Sequence, residues 1–212
     1  MKQYSIERSL VFPIDEPNPG PSYRKLNRVI ANIIKRYKNI TGVARLNPNE
    51  LRASFDEVQF AAEAGFRGVK FHPRSDRFCM REAKSLFPEI ARHQLITIIH
   101  TDHEPNCHPE DWFPIFKKYR KTYFVLTHAG KDVFRQAVYA AKHFPNVYLD
   151  TSTVSYYRTG AILKEAGCKK VLFASDIPYS HVELEIRKFK LLLPKAQQKF
   201  VFRENAKKIL GL

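Results

Sequence analysis

Short apolar runs of strand type alternate with segments of helical period along almost the whole chain, and this alternation constrains the fold more than any other feature. The runs are residues 8 to 13 (RSLVFP), 40 to 46 (ITGVARL), 66 to 72 (FRGVKFH), 95 to 100 (LITIIH), 123 to 128 (YFVLTH), 146 to 151 (NVYLDT) and 170 to 176 (KVLFASD). Each is separated from the next by enough chain to hold a helix. After the first run comes a loop rich in Pro and Gly, Pro17 to Pro21. Then Leu26, Val29, Ile30, Ile33, Ile34 and Tyr37 recur at the three-and-four spacing of one buried helix face. A second helix is expected after Asn47 and Pro48, running toward a stop at Gly65. Parallel neighbours need a crossover and a helix is the usual one, so repeated strand–helix units without hairpin signals indicate a parallel sheet covered on both faces. A dinucleotide-binding open sheet would carry GxGxxG after its first strand, and the chain has none.

Composition narrows the class further. A length of 212 residues fits a single domain, 1–212, and 44% hydrophobic residues with 16 Phe and 10 Tyr supply a core, which excludes disorder for the whole chain. No stretch approaches the roughly 18 apolar residues of a membrane span, and the opening MKQYSIERSL has no apolar signal-peptide region. Cys79, Cys107 and Cys168 lie far apart without CxxC spacing, as reduced thiols of a cytoplasmic protein would. Against 21 Asp plus Glu stand 36 Lys plus Arg, a formal net charge of +15. These cations are dispersed over stretches that read as exposed helix faces, with no aromatic residues interleaved as a stacking platform. Such a solvated basic surface suits an anionic small molecule without selecting it over other anionic partners; a membrane is excluded and nucleic acid disfavoured.

Three successive strand runs close on a histidine, His72, His100 and His128, and the last closes on Asp176. The C-terminal ends of parallel barrel strands converge on one face, where polar groups need a shared partner that a divalent metal can supply. The blocks GFRGVKFHP (65 to 73), IIHTD (98 to 102), FVLTHAG (124 to 130), NVYLDTS (146 to 152), VLFASDIP (171 to 178) and ENAKKILGL (204 to 212) resemble, in order and spacing, those of the amidohydrolase-related family of metal-dependent hydrolases. That family includes hydrolases and some decarboxylases. The resemblance implies an α/β fold of TIM-like (β/α) barrel type. It makes His100 a metal ligand and His128 a ligand or catalytic residue. Asp176 would bind metal and take the proton of an attacking water.

The family's first strand carries an HxH pair that supplies two ligands, and the chain contains no HxH. Counted against the family, seven strands are recognisable and the first is missing, which predicts self-association or another covering of the open barrel edge. The implied chemistry is hydrolysis of an amide, ester or lactone. Zn, with Mn or Fe as alternatives, would lower the pKa of bound water from 15.7 to about 7. Lys70, His72 and Arg74 are the expected contacts for an anionic substrate group. Lys70 is equally placed to pair with a carboxylate, and Arg74 to lie on loop surface. Asp150 and Ser152 either orient substrate or cap their strand. Within HTDHEPNCHPED, the set His100, His103, Cys107 and His108 fits no recognised zinc finger, and His103 or His108 is expected to overlook the barrel mouth. Two other readings stand beside the hydrolase. One is a nuclease resembling the TatD-type DNases, favoured by charge but lacking the fourth-strand glutamate where this chain has GVKFHP. The other is a non-catalytic barrel remnant acting as a binding or scaffold subunit.

Overall fold

Val, Ile and Phe crowd the apolar runs, and in the computed structural model each of the seven becomes a parallel strand. The structure describes residues 1–15, 18 and 20–212. Part of the Pro- and Gly-rich loop expected at Pro17 to Pro21, namely Pro17 and Pro19, lies outside the described residues. The fold comprises two compact units, Met1–Ile99 and His100–Leu212. Among the described residues no helix is long and apolar enough to cross a membrane.

The first unit contains β1 (Ser9–Val11), α1 (Arg24–Arg36), β2 (Ile40–Arg45), α2 (Leu51–Glu63), β3 (Gly68–Phe71), the short α3 (Pro73–Asp76), α4 (Met80–Ala83) and α5 (Phe87–Arg92). It ends on β4 (Ile96–His100), whose last residue opens the second unit. Each strand pairs with the next, Ser9 opposite Ile40, Val43 opposite Gly68 and Gly68 opposite Ile96. A Cβ at Gly68 would lie 2.6 Å from the Ile96 carbonyl oxygen, so only glycine permits this approach of β3 to β4. The stop of α2 falls as expected, with Ala64 at the cap and Gly65 at φ 82°.

The buried side of α1 differs from the expected face. Asn27 and Ala31 are its buried residues, while Val29 and Tyr37 are about half exposed. The reason is polar. The Asn27 side chain takes the Arg45 N–H (3.0 Å) and gives its own N–H to the Arg45 carbonyl (3.1 Å), fixing α1 to the end of β2. The helix is turned further by Glu57 of α2, fully buried, which accepts from Asn27 (2.9 Å), Arg28 (2.9 and 3.0 Å) and Arg24 (3.2 Å). The Arg28 guanidinium also lies 3.2 Å from the centroid of the Phe60 ring.

The second unit runs through α6 (Phe113–Lys118), β5 (Phe124–Thr127), α7 (Phe134–His143), β6 (Val147–Asp150), α8 (Tyr156–Ala166) and β7 (Val171–Leu172). It closes with α9 (Val182–Leu192), α10 (Lys195–Lys199) and α11 (Asn205–Leu210). Phe116 anchors an aromatic cluster, 4.8 Å from Phe124 and 5.7 Å from Phe144 between ring centroids. Asn146 stitches the turns at the start of β5 and β6 together, its side-chain amide donating to the carbonyls of Phe116, Tyr119 and Thr122 at 3.0 to 3.2 Å. Asn205 does the same for the turn before β7, donating to Cys168 (2.8 Å) and Val171 (2.7 Å).

Candidate functional site

Within the second unit, His100 ends β4 and His128 directly follows β5, both buried, with their rings edge to face and centroids 5.0 Å apart. His100 Nε2 donates to Asp102 Oδ2 at 2.8 Å, since a carboxylate can only accept. The other Asp102 oxygen accepts the Glu104 N–H at 2.8 Å. The loop after β4 therefore turns back on itself and aims a fully buried carboxylate at the imidazole. His128 is oriented from the other side: its Nδ1 lies 3.0 Å from the Ser152 carbonyl oxygen and 3.2 Å from the Ser152 and Thr153 hydroxyls. The carbonyl has no hydrogen to give, so Nδ1 carries the proton in neutral His128.

The backbone around His128 is forced. His128, Ala129 and Lys131 all have positive φ, 58°, 44° and 47°, with Gly130 at 74° between them. Each non-glycine residue there costs on the order of 1–3 kcal/mol and persists only if its surroundings hold it. Thr101 and Asp150 do so. The Thr101 hydroxyl donates to the Thr127 carbonyl (2.7 Å) and accepts the Gly130 N–H (3.1 Å), while Asp150 Oδ1 accepts the His128 N–H (3.3 Å). Asp150 also accepts the Ser152 hydroxyl (2.6 Å) and N–H (2.9 Å), tying the end of β6 to the His128 turn. Behind it, Glu185 accepts the Thr153 N–H (3.1 Å) and the Ser180 hydroxyl (3.0 Å) and pairs with Lys188 at 2.6 Å.

Asp176 follows β7, half-buried and at φ 53°. The three-ligand set expected of His100, His128 and Asp176 is not assembled: among the described residues no three His, Cys, Asp or Glu side chains form a group able to hold a metal ion. The carboxylate found on His100 is Asp102, two residues along the same loop. The donor set therefore does not fit the three protein ligands of a catalytic zinc. Of the loop histidines, His103 Nδ1 lies 3.3 Å from Asp132 on the turn after β5 and His108 Nε2 3.0 Å from the His103 carbonyl oxygen, while Cys107 is fully buried. A cleft of about 490 Å³ between α8 and α9 is lined by Thr153, Tyr156, Tyr179, Leu184 and Lys188 among others, but by neither histidine.

In the first unit, Lys70 on β3 is buried, its ammonium 5.2 Å from the centroid of the Phe12 ring. His72 caps α3, its Nδ1 accepting the Ser75 N–H at 3.3 Å, and Arg74 is exposed on that helix. The buried cation that the sequence did not single out is Arg45, in register with Lys70. It forms a double hydrogen bond to Asp76 (3.0 and 3.1 Å), pairs with Asp15 and lies 4.3 Å from the centroid of the Tyr23 ring. The Tyr23 hydroxyl donates to Asp76 at 2.6 Å. Burial raises the Asp76 carboxyl above the usual range, with Arg45 and Tyr23 opposing, and burial followed by the bond to Asp76 raises the Tyr23 hydroxyl.

The fold is shared with solved structures. The 5-carboxyvanillate decarboxylase of Sphingomonas paucimobilis superposes with a TM-score of 0.76 at 15% identity, covering 100% of this chain and 81% of that one. For the 2,6-dihydroxybenzoate decarboxylase of Rhizobium the values are 0.79 and 14%, covering 100% and 86%. The 5-carboxyvanillate decarboxylase of Novosphingobium aromaticivorans, solved with manganese, gives 0.71 and 17%, covering 89% and 69%. At these identities the likeness establishes the architecture, an α/β fold of TIM-like barrel type with seven parallel strands and helices between them. Among curated proteins none matches the chain. A model of the amidohydrolase family (Amidohydro_2) matches residues 20–212. The chain belongs to the amidohydrolase family.

Proposed function

We propose that this chain is a lyase-type member of its family that removes carboxylate from a small aromatic acid, with His100 as the proton donor. The observation that carries this reading is the 2.8 Å bond between buried His100 and buried Asp102. A buried imidazolium is costly unless paired, and the Asp102 carboxylate supplies that pairing. Protonated His100 would carry hydrogen on both ring nitrogens, Nε2 toward Asp102 and Nδ1 toward the substrate. Transfer of the Nδ1 proton to the ring carbon that bears the carboxylate makes that carbon tetrahedral. The C–C bond then breaks, its electron pair returns to the ring and CO2 leaves. His100 is left neutral and regains its proton from solvent. His128, held by Ser152 and Thr153, forms a fixed wall beside this path. The decarboxylase activities of the structural neighbours support this choice over hydrolysis of an amide, ester or lactone. Zinc is not carried into the mechanism, because the donor set does not fit it.

The test is CO2 release from a panel of hydroxylated benzoic acids, including 2,6-dihydroxybenzoate and 5-carboxyvanillate, with and without added Mn2+. Release should fall by about 10²–10⁴ in His100→Ala, the range ascribed to a positioned general acid. Release that is unchanged in a folded His100→Ala protein refutes the assignment. Hydrolysis of ester or lactone analogues without any CO2 release refutes the reaction class.

A further inference from the structure

The cations that look dispersed in the sequence are gathered by the fold onto one end of the second unit. Three parallel strands, β5, β6 and β7, lie side by side there, and each is entered through a helix-to-strand turn rich in lysine. Before β5 stand Lys117, Lys118, Arg120 and Lys121; before β6, Lys142 and His143; before β7, Lys169 and Lys170. The C-terminal helix adds Lys207 and Lys208. Hydrogen bonds fix these four segments to one another. Asn146 ties the second turn to the first, the Lys170 ammonium donates to the carbonyls of Phe144, Pro145 and Val147 (3.0 to 3.1 Å), and Asn205 ties α11 to the third turn. The lysine and arginine side chains among these are exposed except Lys170, and so is His143. The only acidic residues in the four segments are Glu165 and Glu204. The ion pairs described in this unit, His100–Asp102, His103–Glu104, His103–Asp132, Arg158–Asp132 and Lys188–Glu185, involve none of these side chains. The mutual repulsion is felt by Lys170, whose pKa burial and then the Lys208 charge lower to about 8.

We infer that this strand-entrance face is a docking surface for duplex nucleic acid, gripping the phosphate backbone without reading sequence. Charge density favours this partner. Three neighbouring strands at about 4.8 Å spacing set the turns across roughly 10 Å, and a duplex carries about six charges over that length of axis. The cations are mostly lysines, point charges suited to phosphate rather than to forked recognition of bases or carboxylates. Single strands are disfavoured because rings beside this face are already engaged, Tyr119 by Lys118 at 5.3 Å, Phe200 by Lys169 and Lys199 at 5.3 and 5.4 Å, and half-exposed Tyr139 by the His143 ring at 3.9 Å. The surface lies at the end of β5 opposite His128, so binding there leaves the proton-transfer site uncovered.

The test is fluorescence anisotropy of the full chain with a labelled duplex of about 20 base pairs, measured from about 50 to 200 mM salt. Binding should weaken steeply with salt. The triple variant Lys117→Gln, Lys118→Gln, Lys121→Gln should lose about tenfold or more in affinity and about two to three units of the log–log salt slope. The double variant Lys169→Gln, Lys207→Gln should lose in the same direction, and serves if the triple variant folds poorly. The control Lys35→Gln, Arg36→Gln, Lys38→Gln removes the same charge from the first unit and should retain binding within about twofold. Equal losses in face and control variants would overturn the inference by making attraction a property of net charge. Tighter binding to polyglutamate, to phosphatidylserine vesicles or to a single strand of the same length would overturn the choice of partner.

Discussion

Replacing Glu57 should cost more stability than any exposed ion pair in the chain, and the structure sets the size of the effect. Its carboxylate is fully buried and receives four donors, from Asn27, Arg24 and twice from Arg28. A hydrogen bond to a charged group contributes about 1.5–3 kcal/mol net. Two facts reduce the simple sum. The Arg24 and Arg28 side chains are 44% and 41% exposed, so both cations regain water when the carboxylate is removed, and Asn27 keeps its bond to the Arg45 carbonyl. Glu57→Ala should therefore lose about 3 kcal/mol rather than the full sum. For a chain of this size that is a fall in Tm of about 6–12 °C. Glu57→Gln keeps the shape but turns an amide N–H toward a guanidinium, and should lose about half as much. Urea and thermal unfolding followed by circular dichroism measure both, and combining Glu57→Ala with Arg28→Met should give less than the summed losses. A loss below about 1 kcal/mol in Glu57→Ala, or strict additivity in the double variant, would refute the reasoning.

Three further expectations use other parts of the fold. Lys170 has a folded pKa of about 8 against the ordinary 10.5, so between these values the unfolded chain binds more protons and stability should rise with pH. Unfolding midpoints from pH 7.5 to 10.5 should show this rise in the parent and lose it in Lys170→Met; parallel curves would contradict it. Asp102→Ala should destabilise by about 1–3 kcal/mol, because the His100 and Glu104 N–H groups both lose their acceptor. Chemical denaturation decides the point, and an unchanged midpoint would mean that water replaces the carboxylate freely. Gly68→Ala should lower stability by about 1–3 kcal/mol or prevent folding, since the new methyl meets the backbone of Ile96; a variant as stable as the parent would show that β3 and β4 can separate.

What the sequence made legible was what depends on local order. All seven strands fall on the expected runs because β-branched and aromatic residues at that spacing have few alternatives, and Gly65 ends α2 for reasons confined to its own backbone. His100 and His128 were visible because strand ends are positions that topology brings together. The buried face of α1 was misread because apolar spacing was weighed while a polar anchor, Asn27, decided the rotation. Asp102 was overlooked as the partner of His100 although it stands two residues away, because the pairing depends on a turn that periodicity does not encode. The basic face was illegible for the opposite reason. Its charges are separated in sequence by whole strand–helix units and become neighbours only when the strands align.

The turn after β5 has a further consequence for which substitutions the chain can accept. In an ordinary surface loop most side chains are interchangeable and glycine is mildly unfavourable. From His128 to Lys131 that ranking is inverted, since every residue there sits where L-amino acids are strained. Glycine at Ala129 or Lys131 would relieve the fold while loosening the segment that aims His128. Stability and aim thus pull on these two positions in opposite directions, and variants selected for heat resistance alone would be expected to drift toward a slacker histidine.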